Sequence, residues 1–139
     1  MKETSNKPVV GIAESSMKIA TMLGHRFAII QLSRASIPRK EELINKYNLT
    51  QLGFPVSGKK QSIHFRDYDQ IKEVATLALE EYRAEVLVLS CAGMSGLDEK
   101  LSQELKVPVL DGIKCGLIIL TGLIKNGYYI SKIGKYKSV

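Results

Sequence analysis

The chain has 139 residues, of which 45% are hydrophobic and 24% charged, a composition typical of one folded globular domain that excludes a fibre or a disordered tail. We therefore treat residues 1–139 as a single domain. Its longest apolar stretch lies between Lys114 and Lys125 and includes Thr121, so no membrane-crossing helix of about 20 apolar residues is expected. The net charge of +6 is spread along the chain without a nucleic-acid reader motif, so nucleic acid is not an expected partner.

The sequence also argues against several kinds of site. Residues 1–7 are polar and have no signal-peptide core, so a cytoplasmic protein with two reduced cysteines is expected. His25 and His64 are distant in sequence and lack cysteine or carboxylate partners at zinc-ligand spacing, so no metal site is expected. Gly93 and Gly96 do not form a dinucleotide fingerprint, so no cofactor is expected.

In the first half of the chain, short apolar runs alternate with helical patterns, which predicts an α/β fold with a parallel sheet. Apolar residues at helical spacing predict a first helix that ends at Gly24. A strand is expected at residues 27–30, and a second helix between an N-cap at Ser36 and Asn48. Residues 51–66 contain glycine and proline among polar residues and are expected to form a strand fragment and a long loop.

The second half continues this alternation. Asp67 or Asp69 is expected to cap a helix whose apolar positions fall within residues 71–78. Residues 85–90 predict a strand that is buried on both faces. The remaining expected elements are a helix at residues 97–105, a short strand or crossover at residues 107–110, and a helix from Asp111 or Gly112 to about Lys125.

Cys91 occupies a position that is typical of ligand-binding and catalytic residues, because it ends the buried strand and begins a glycine-containing turn into a helix. Ligands bind at this carboxyl edge of the strands in open α/β sheets. Backbone N–H groups of residues 93–96 would create a field that favours a thiolate, which can accept a proton or act as a nucleophile. The alternative is a small buried residue that fills the turn. Cys115 lies inside an apolar helical stretch and is interpreted as a core residue.

Residues 90–97, Ser-Cys-Ala-Gly-Met-Ser-Gly-Leu, resemble the second cysteine motif of hydantoin and allantoin racemases, in the aspartate/glutamate/hydantoin racemase superfamily. The likeness extends over nearly the whole chain from Pro8, in the family's order, through motifs at residues 8–14, 23–27, 107–112 and 131–136. It implies a lobe with a flavodoxin-like or Rossmann-like parallel sheet and helices on both faces.

The resemblance also implies a cofactor-independent racemase or epimerase whose substrate is a small molecule, an amino acid, a hydantoin or a related acid. In this family two cysteines act on opposite faces of the substrate, one thiolate removing the Cα proton while the other thiol delivers a proton. Cys91 would be one of them. The backbone amides of Ala92, Gly93 and Met94 would hold a substrate oxygen as negative charge develops.

This sequence departs from the family pattern at Ser90, where glycine is common before the cysteine, and in two places that bear more directly on function. The family's first cysteine and its Asn-Pro-Asn-Thr-like motif are absent, so the chain is expected to correspond to the C-terminal part of a racemase, with the first lobe missing. Gln31-Leu32 stands where hydantoin racemases usually have two threonines that help to bind substrate. Gln31 is accordingly taken as a substrate-binding position, and the substrate class is left open.

The family fold pairs two similar lobes with the active site between them. Residues 26–105 would form one lobe here, and the helices at residues 12–23 and 112–125 would present apolar faces to a missing partner. A homo-oligomer or a separate N-terminal lobe is therefore expected as the partner.

Two other functions remain open. A decarboxylase similar to arylmalonate decarboxylase would also use a single cysteine in the corresponding motif, although the first lobe should supply its oxyanion donors. A non-catalytic α/β assembly module would keep the site only as a relic.

Overall fold

The computed structural model describes residues 1–137, which form a four-stranded parallel sheet flanked by five α-helices. The strands are β1 (Phe27–Gln31), β2 (Gly53–Ser57), β3 (Val86–Leu89) and β4 (Val109–Asp111), in the order β2-β1-β3-β4. The helices are α1 (Ile12–Leu23), α2 (Ile37–Lys46), α3 (Tyr68–Glu80), α4 (Asp98–Leu105) and α5 (Gly112–Lys125). The expected α/β fold with a parallel sheet is confirmed.

Alternate residues of the central strands bury apolar side chains on opposite faces of the sheet, as the two-residue period of a strand requires. Ala28 and Ile30 of β1 belong to a cluster with apolar residues of α3 and α4 on one face. Phe27 and Ile29 belong to a second cluster with residues of α1 and α2 on the other face. Helices therefore cover both faces, as expected.

The direction of winding reverses between β1 and β3. From β1 the chain passes through α2 to β2, at one edge of the sheet, and then returns through α3 to β3 on the other side of β1. Because α2 and α4 pack on opposite faces, the segments that follow β1 and β3 diverge at the carboxyl edge. This divergence opens the crevice in which doubly wound proteins bind their ligands.

The helices α1 and α5 differ in the apolar surface that they leave uncovered. For α1 the expected uncovered apolar surface is found only at the ends of the helix, because Met17 and Ala20 are buried against the sheet. It is confirmed for α5, where Leu117 is 59% and Ile118 is 65% exposed. The exposed large apolar residues of α1 lie at its two ends: Ile12, Met22 and Leu23.

The start of α2 and the end of α1 involve contacts that the local sequence pattern does not indicate. Ser36 precedes α2, but its hydroxyl donates to the side chain of Gln31 and to the carbonyl of Ser33 instead of capping the helix. Gly24 ends α1 in an extended conformation that any residue can adopt. A glycine is needed there for space, because a Cβ would lie 2.8 Å from Cγ2 of Val86.

Candidate active site

Cys91 lies two residues beyond the end of β3 and begins the short 3-10 turn Ala92–Met94. The residue is exposed, at the carboxyl edge of the sheet and in the crevice described above. Its Sγ accepts a hydrogen bond from the backbone amide of Gly93 at 3.3 Å. A backbone donor aimed at the sulfur stabilises negative charge on it.

The three backbone amides of this turn differ in whether they are free to donate a hydrogen bond to a bound ligand. The amide of Met94 donates to the carbonyl of Cys91 at 3.0 Å, and the Met94 side chain is fully buried. The amide of Gly93 donates to the Cys91 sulfur. The amide of Ala92 has no hydrogen-bond partner within residues 1–137, so it is the donor of the three that a bound oxygen can reach without displacing another contact.

A narrow cleft runs from Cys91 along the sheet edge, between α1, α2 and the start of α5. Its walls are mainly apolar and include Met17, Ile29 and Val88. The cleft has a volume of about 30 Å³, which holds one or two water molecules. Sites that enclose a small organic ligand typically measure about 300 Å³ or more. A ligand of that size is too large for this cleft and could only extend across its mouth, where the thiol of Cys91 is exposed.

Lys40 on α2 lines the same cleft as Cys91 and was missed by the sequence analysis. Burial lowers the pKa of its ammonium group, the neighbouring Arg39 lowers it further, and negative charge on Cys91 acts in the opposite direction. The two side chains are thus close enough to interact electrostatically. Lysines on amphipathic helices are mostly solvent-exposed, so the sequence pattern carried no signal for this residue.

Gln31 ends β1 but does not line the cleft. Its side chain is 1% exposed, donates to the carbonyl of Ile29 at 3.4 Å and accepts from the hydroxyl of Ser36 at 2.8 Å. These bonds fix the segment between β1 and α2. The substrate-binding role expected of Gln31 stays a prediction, and in this conformation both of its polar groups are engaged within the protein.

A buried aspartate connects the Cys91 loop to the start of α5. Asp111 accepts hydrogen bonds from the amides of Ile113 at 2.7 Å and Lys114 at 3.3 Å, and so caps α5. It also accepts a hydrogen bond from the hydroxyl of Ser95, just after the Cys91 turn. Burial opposes ionisation of this carboxyl, but the hydrogen bonds from Ser95 and the backbone outweigh it and lower the pKa of Asp111. From the sequence, Asp111 was predictable only as the boundary of a helix.

Replacing Asp111 with asparagine is expected to lower the free energy of unfolding by about 1 kcal/mol at pH 7, because charge-assisted hydrogen bonds are lost while a capping side chain remains. The folded-state pKa of Asp111 lies below its ordinary value of 3.8, so its stabilising contribution is complete above that value and is lost as the pH falls through the folded-state pKa. Wild type should therefore lose more stability on acidification than Asp111→Asn.

Urea unfolding at a series of pH values, followed by circular dichroism, measures this difference. Asp69→Asn is the matched control, because Asp69 is an exposed carboxylate in the first turn of α3. Parallel pH dependences for wild type and Asp111→Asn would contradict the assignment.

The other residues singled out from the sequence lie outside the cleft. His64 is exposed in the loop before α3 and stacks on Phe65, with 4.5 Å between ring centroids. Cys115 is 2% exposed within α5, which confirms its expected core position. Within residues 1–137, no three His, Cys, Asp or Glu side chains are grouped so as to hold a metal ion. No helix in the same range is both long and apolar enough to cross a membrane.

The chain is similar to known proteins over nearly its whole length. The family model for Asp/Glu/hydantoin racemases matches residues 1–118. The hydantoin racemase of Pseudomonas sp. (strain NS671) is 31% identical, over 98% of this chain and 57% of its own length. The hydantoin racemase of Rhizobium meliloti is 30% identical, over 97% of this chain and 58% of its own length.

Solved structures agree with these sequence relationships. The allantoin racemase of Pseudomonas fluorescens superposes with a TM-score of 0.91 at 30% identity, covering 99% of this chain and 61% of that one. The allantoin racemase of Klebsiella pneumoniae also gives a TM-score of 0.91, at 28% identity, with 99% and 59% covered. The chain thus spans about three fifths of the length of these relatives.

Proposed function

Since this chain belongs to the Asp/Glu/hydantoin racemase family, we propose that it takes part in the racemisation or epimerisation of a small molecule at a carbon next to a carbonyl, with Cys91 as an acid/base group. The observation that carries this proposal is the position of the Cys91 thiol, exposed at the carboxyl edge of β3 and at the mouth of a cleft. A thiol placed there can reach a substrate from one side.

Racemisation requires a proton transfer on each of the two faces of the substrate carbon, and Cys91 would carry out the transfer on one of them. The Cys91 thiolate takes the Cα proton, so that an S–H bond forms as the C–H bond breaks, and the electron pair moves towards the carbonyl oxygen. The free amide of Ala92 would donate to that oxygen as it gains negative charge. The amide of Gly93 would hold the Cys91 sulfur in place. The thiol of the exposed Cys91 then exchanges its proton with solvent and returns a solvent proton to the same face of the carbon.

Inversion of configuration requires a second acid on the opposite face of the substrate carbon. The cleft is small and open, which supports the proposal that this second acid comes from outside the described residues. Cys115 is 2% exposed within α5 and does not line the cleft, so it is not a candidate for that role. The exposed apolar side chains of α5, with Ile113 at the cleft itself, offer a surface on which another segment or chain could pack. The substrate would then lie between the two.

Hydrogen–deuterium exchange at the substrate Cα tests this function. The protein would be incubated in D₂O with 5-substituted hydantoins, allantoin, aspartate and glutamate, and the loss of the Cα proton signal followed by ¹H NMR. We expect protein-dependent exchange with at least one of these classes. Exchange rates equal to those without protein for every class would favour the non-catalytic assembly module instead.

A further inference from the structure

The cleft beside Cys91 contains the ammonium group of Lys40, which forms no ion pair with a carboxylate within residues 1–137. Lys40 is partly buried in the wall of this cleft. Its charged neighbour on the same helix, Arg39, is another cation. A partly buried charge is costly unless an opposite charge or hydrogen bonds compensate for it, so this arrangement favours an anion brought in by a ligand.

The residues around Lys40 provide little compensation for the charge of its ammonium group. The residues that line the cleft with it are apolar or uncharged apart from the ionisable thiol of Cys91. In such surroundings the attraction between an ammonium and a carboxylate is screened less than at an open surface. The Cys91 thiolate is one anion that Lys40 can compensate, but the sulfur loses its charge when it takes the substrate proton, whereas negative charge on the substrate persists.

We propose that Lys40 is a specificity residue of the Cys91 site, which binds an anionic group of the substrate and thereby favours a carboxylate over an uncharged amide of the same shape. This inference rests on the proposed function, because it assumes that the substrate lies against Cys91. It deepens that function by assigning the substrate class to carboxylates or equivalent anions. A neutral ring would leave the Lys40 charge uncompensated.

Equilibrium binding of a matched pair of ligands tests the proposal without requiring turnover. The pair is N-acetyl-L-alanine, which is anionic at pH 7, and N-acetyl-L-alaninamide, its neutral isostere, each titrated into the full chain at low salt and followed by NMR. Wild type is expected to bind the carboxylate about tenfold more tightly than the amide. Lys40→Met should remove about this tenfold preference and leave the affinity for the amide unchanged.

Two further variants distinguish a specific ion pair between Lys40 and the ligand from an effect of the protein's overall charge or from misfolding of the variant. Lys40→Arg keeps the charge and should retain the preference, whereas Lys46→Met removes an exposed lysine near the end of the same helix, outside the cleft, and should change neither affinity. Equal loss in Lys46→Met and Lys40→Met, no preference in wild type, or no carboxylate binding at all would overturn the proposal. Carboxylate binding through Lys40 without Cα exchange would count against the proposed function and leave the specificity role standing.

Discussion

Replacing Cys91 with serine is expected to lower the rate of Cα deuterium exchange by about 10³-fold, the middle of the range for removing a general acid/base group. Serine places an oxygen near the position of the sulfur, so the turn and its hydrogen bond from Gly93 can persist. A serine hydroxyl holds its proton far more firmly than a thiol does, so it cannot take the Cα proton at neutral pH. The Cα proton signal, followed by NMR under the conditions described above, measures the loss.

Cys115→Ala is the matched control for this experiment, because it removes the second cysteine of the chain. Burial raises the pKa of the Cys115 thiol, and the negative charges of Asp111 and Asp98 raise it further, so this thiol stays protonated. We expect Cys115→Ala to keep the wild-type exchange rate at a cost of about 1 kcal/mol in stability. An unchanged rate in a folded Cys91→Ser protein would exclude Cys91 as the acid/base group.

Replacing Gly53 with alanine is expected to reduce the free energy of unfolding by about 3 kcal/mol, the upper part of the range for an overpacked core. Gly53 is paired with Phe27 in the β1–β2 register, and Phe27 is fully buried. A Cβ at residue 53 would come within 2.8 Å of the Cζ, Cε1 and Cε2 atoms of the Phe27 ring. Because the ring is fully buried, either the ring or the strand that carries it must shift to relieve this contact.

Thermal and urea unfolding measure this effect, and two variants control for it. Gly122→Ala places a Cβ where no atom lies within 4 Å on α5, so it should be neutral or slightly stabilising. Adding Phe27→Leu to Gly53→Ala should recover part of the lost stability, because the smaller side chain relieves the clash. Destabilisation of similar size in Gly122→Ala, or no recovery in the double variant, would show that the ring contact is not the cause.

Most of the fold could be predicted from the sequence because its strands and helices follow simple periodic patterns. The strand expected at residues 27–30 forms as Phe27–Gln31, and the strand expected at residues 85–90 forms as Val86–Leu89. Asp67 caps α3 by accepting from the amide of Gln70. What could not be predicted depended on tertiary packing: α1 covers the sheet rather than a missing partner.

The candidate site was only partly predictable, because its residues come from distant parts of the chain. Cys91 was identified from a local pattern, the end of an apolar strand followed by a glycine turn. Lys40 and Asp111 approach that loop only through the packing of α2 and the start of α5. The substrate-binding role of Gln31 came from its position, where hydantoin racemases usually have a threonine, and it stays a prediction. The burial of Gln31 and its hydrogen bond with Ser36 follow from tertiary packing and could not be predicted from that position.

The central claim is that a single acid/base thiol, Cys91, acts on one face of the substrate carbon. The stereochemical outcome of deuterium exchange tests this claim most directly. One enantiomer of an exchanging substrate would be incubated with the chain alone in D₂O, and both its Cα deuterium content and its enantiomeric composition would be followed by mass spectrometry and chiral chromatography. We predict that deuterium enters with the configuration retained, because the exposed Cys91 thiol exchanges its proton for a deuteron from D₂O and returns that deuteron to the face from which it took the proton. Inversion at the same rate as deuterium uptake in the monomeric chain would reveal a second acid/base group within this chain and contradict the account.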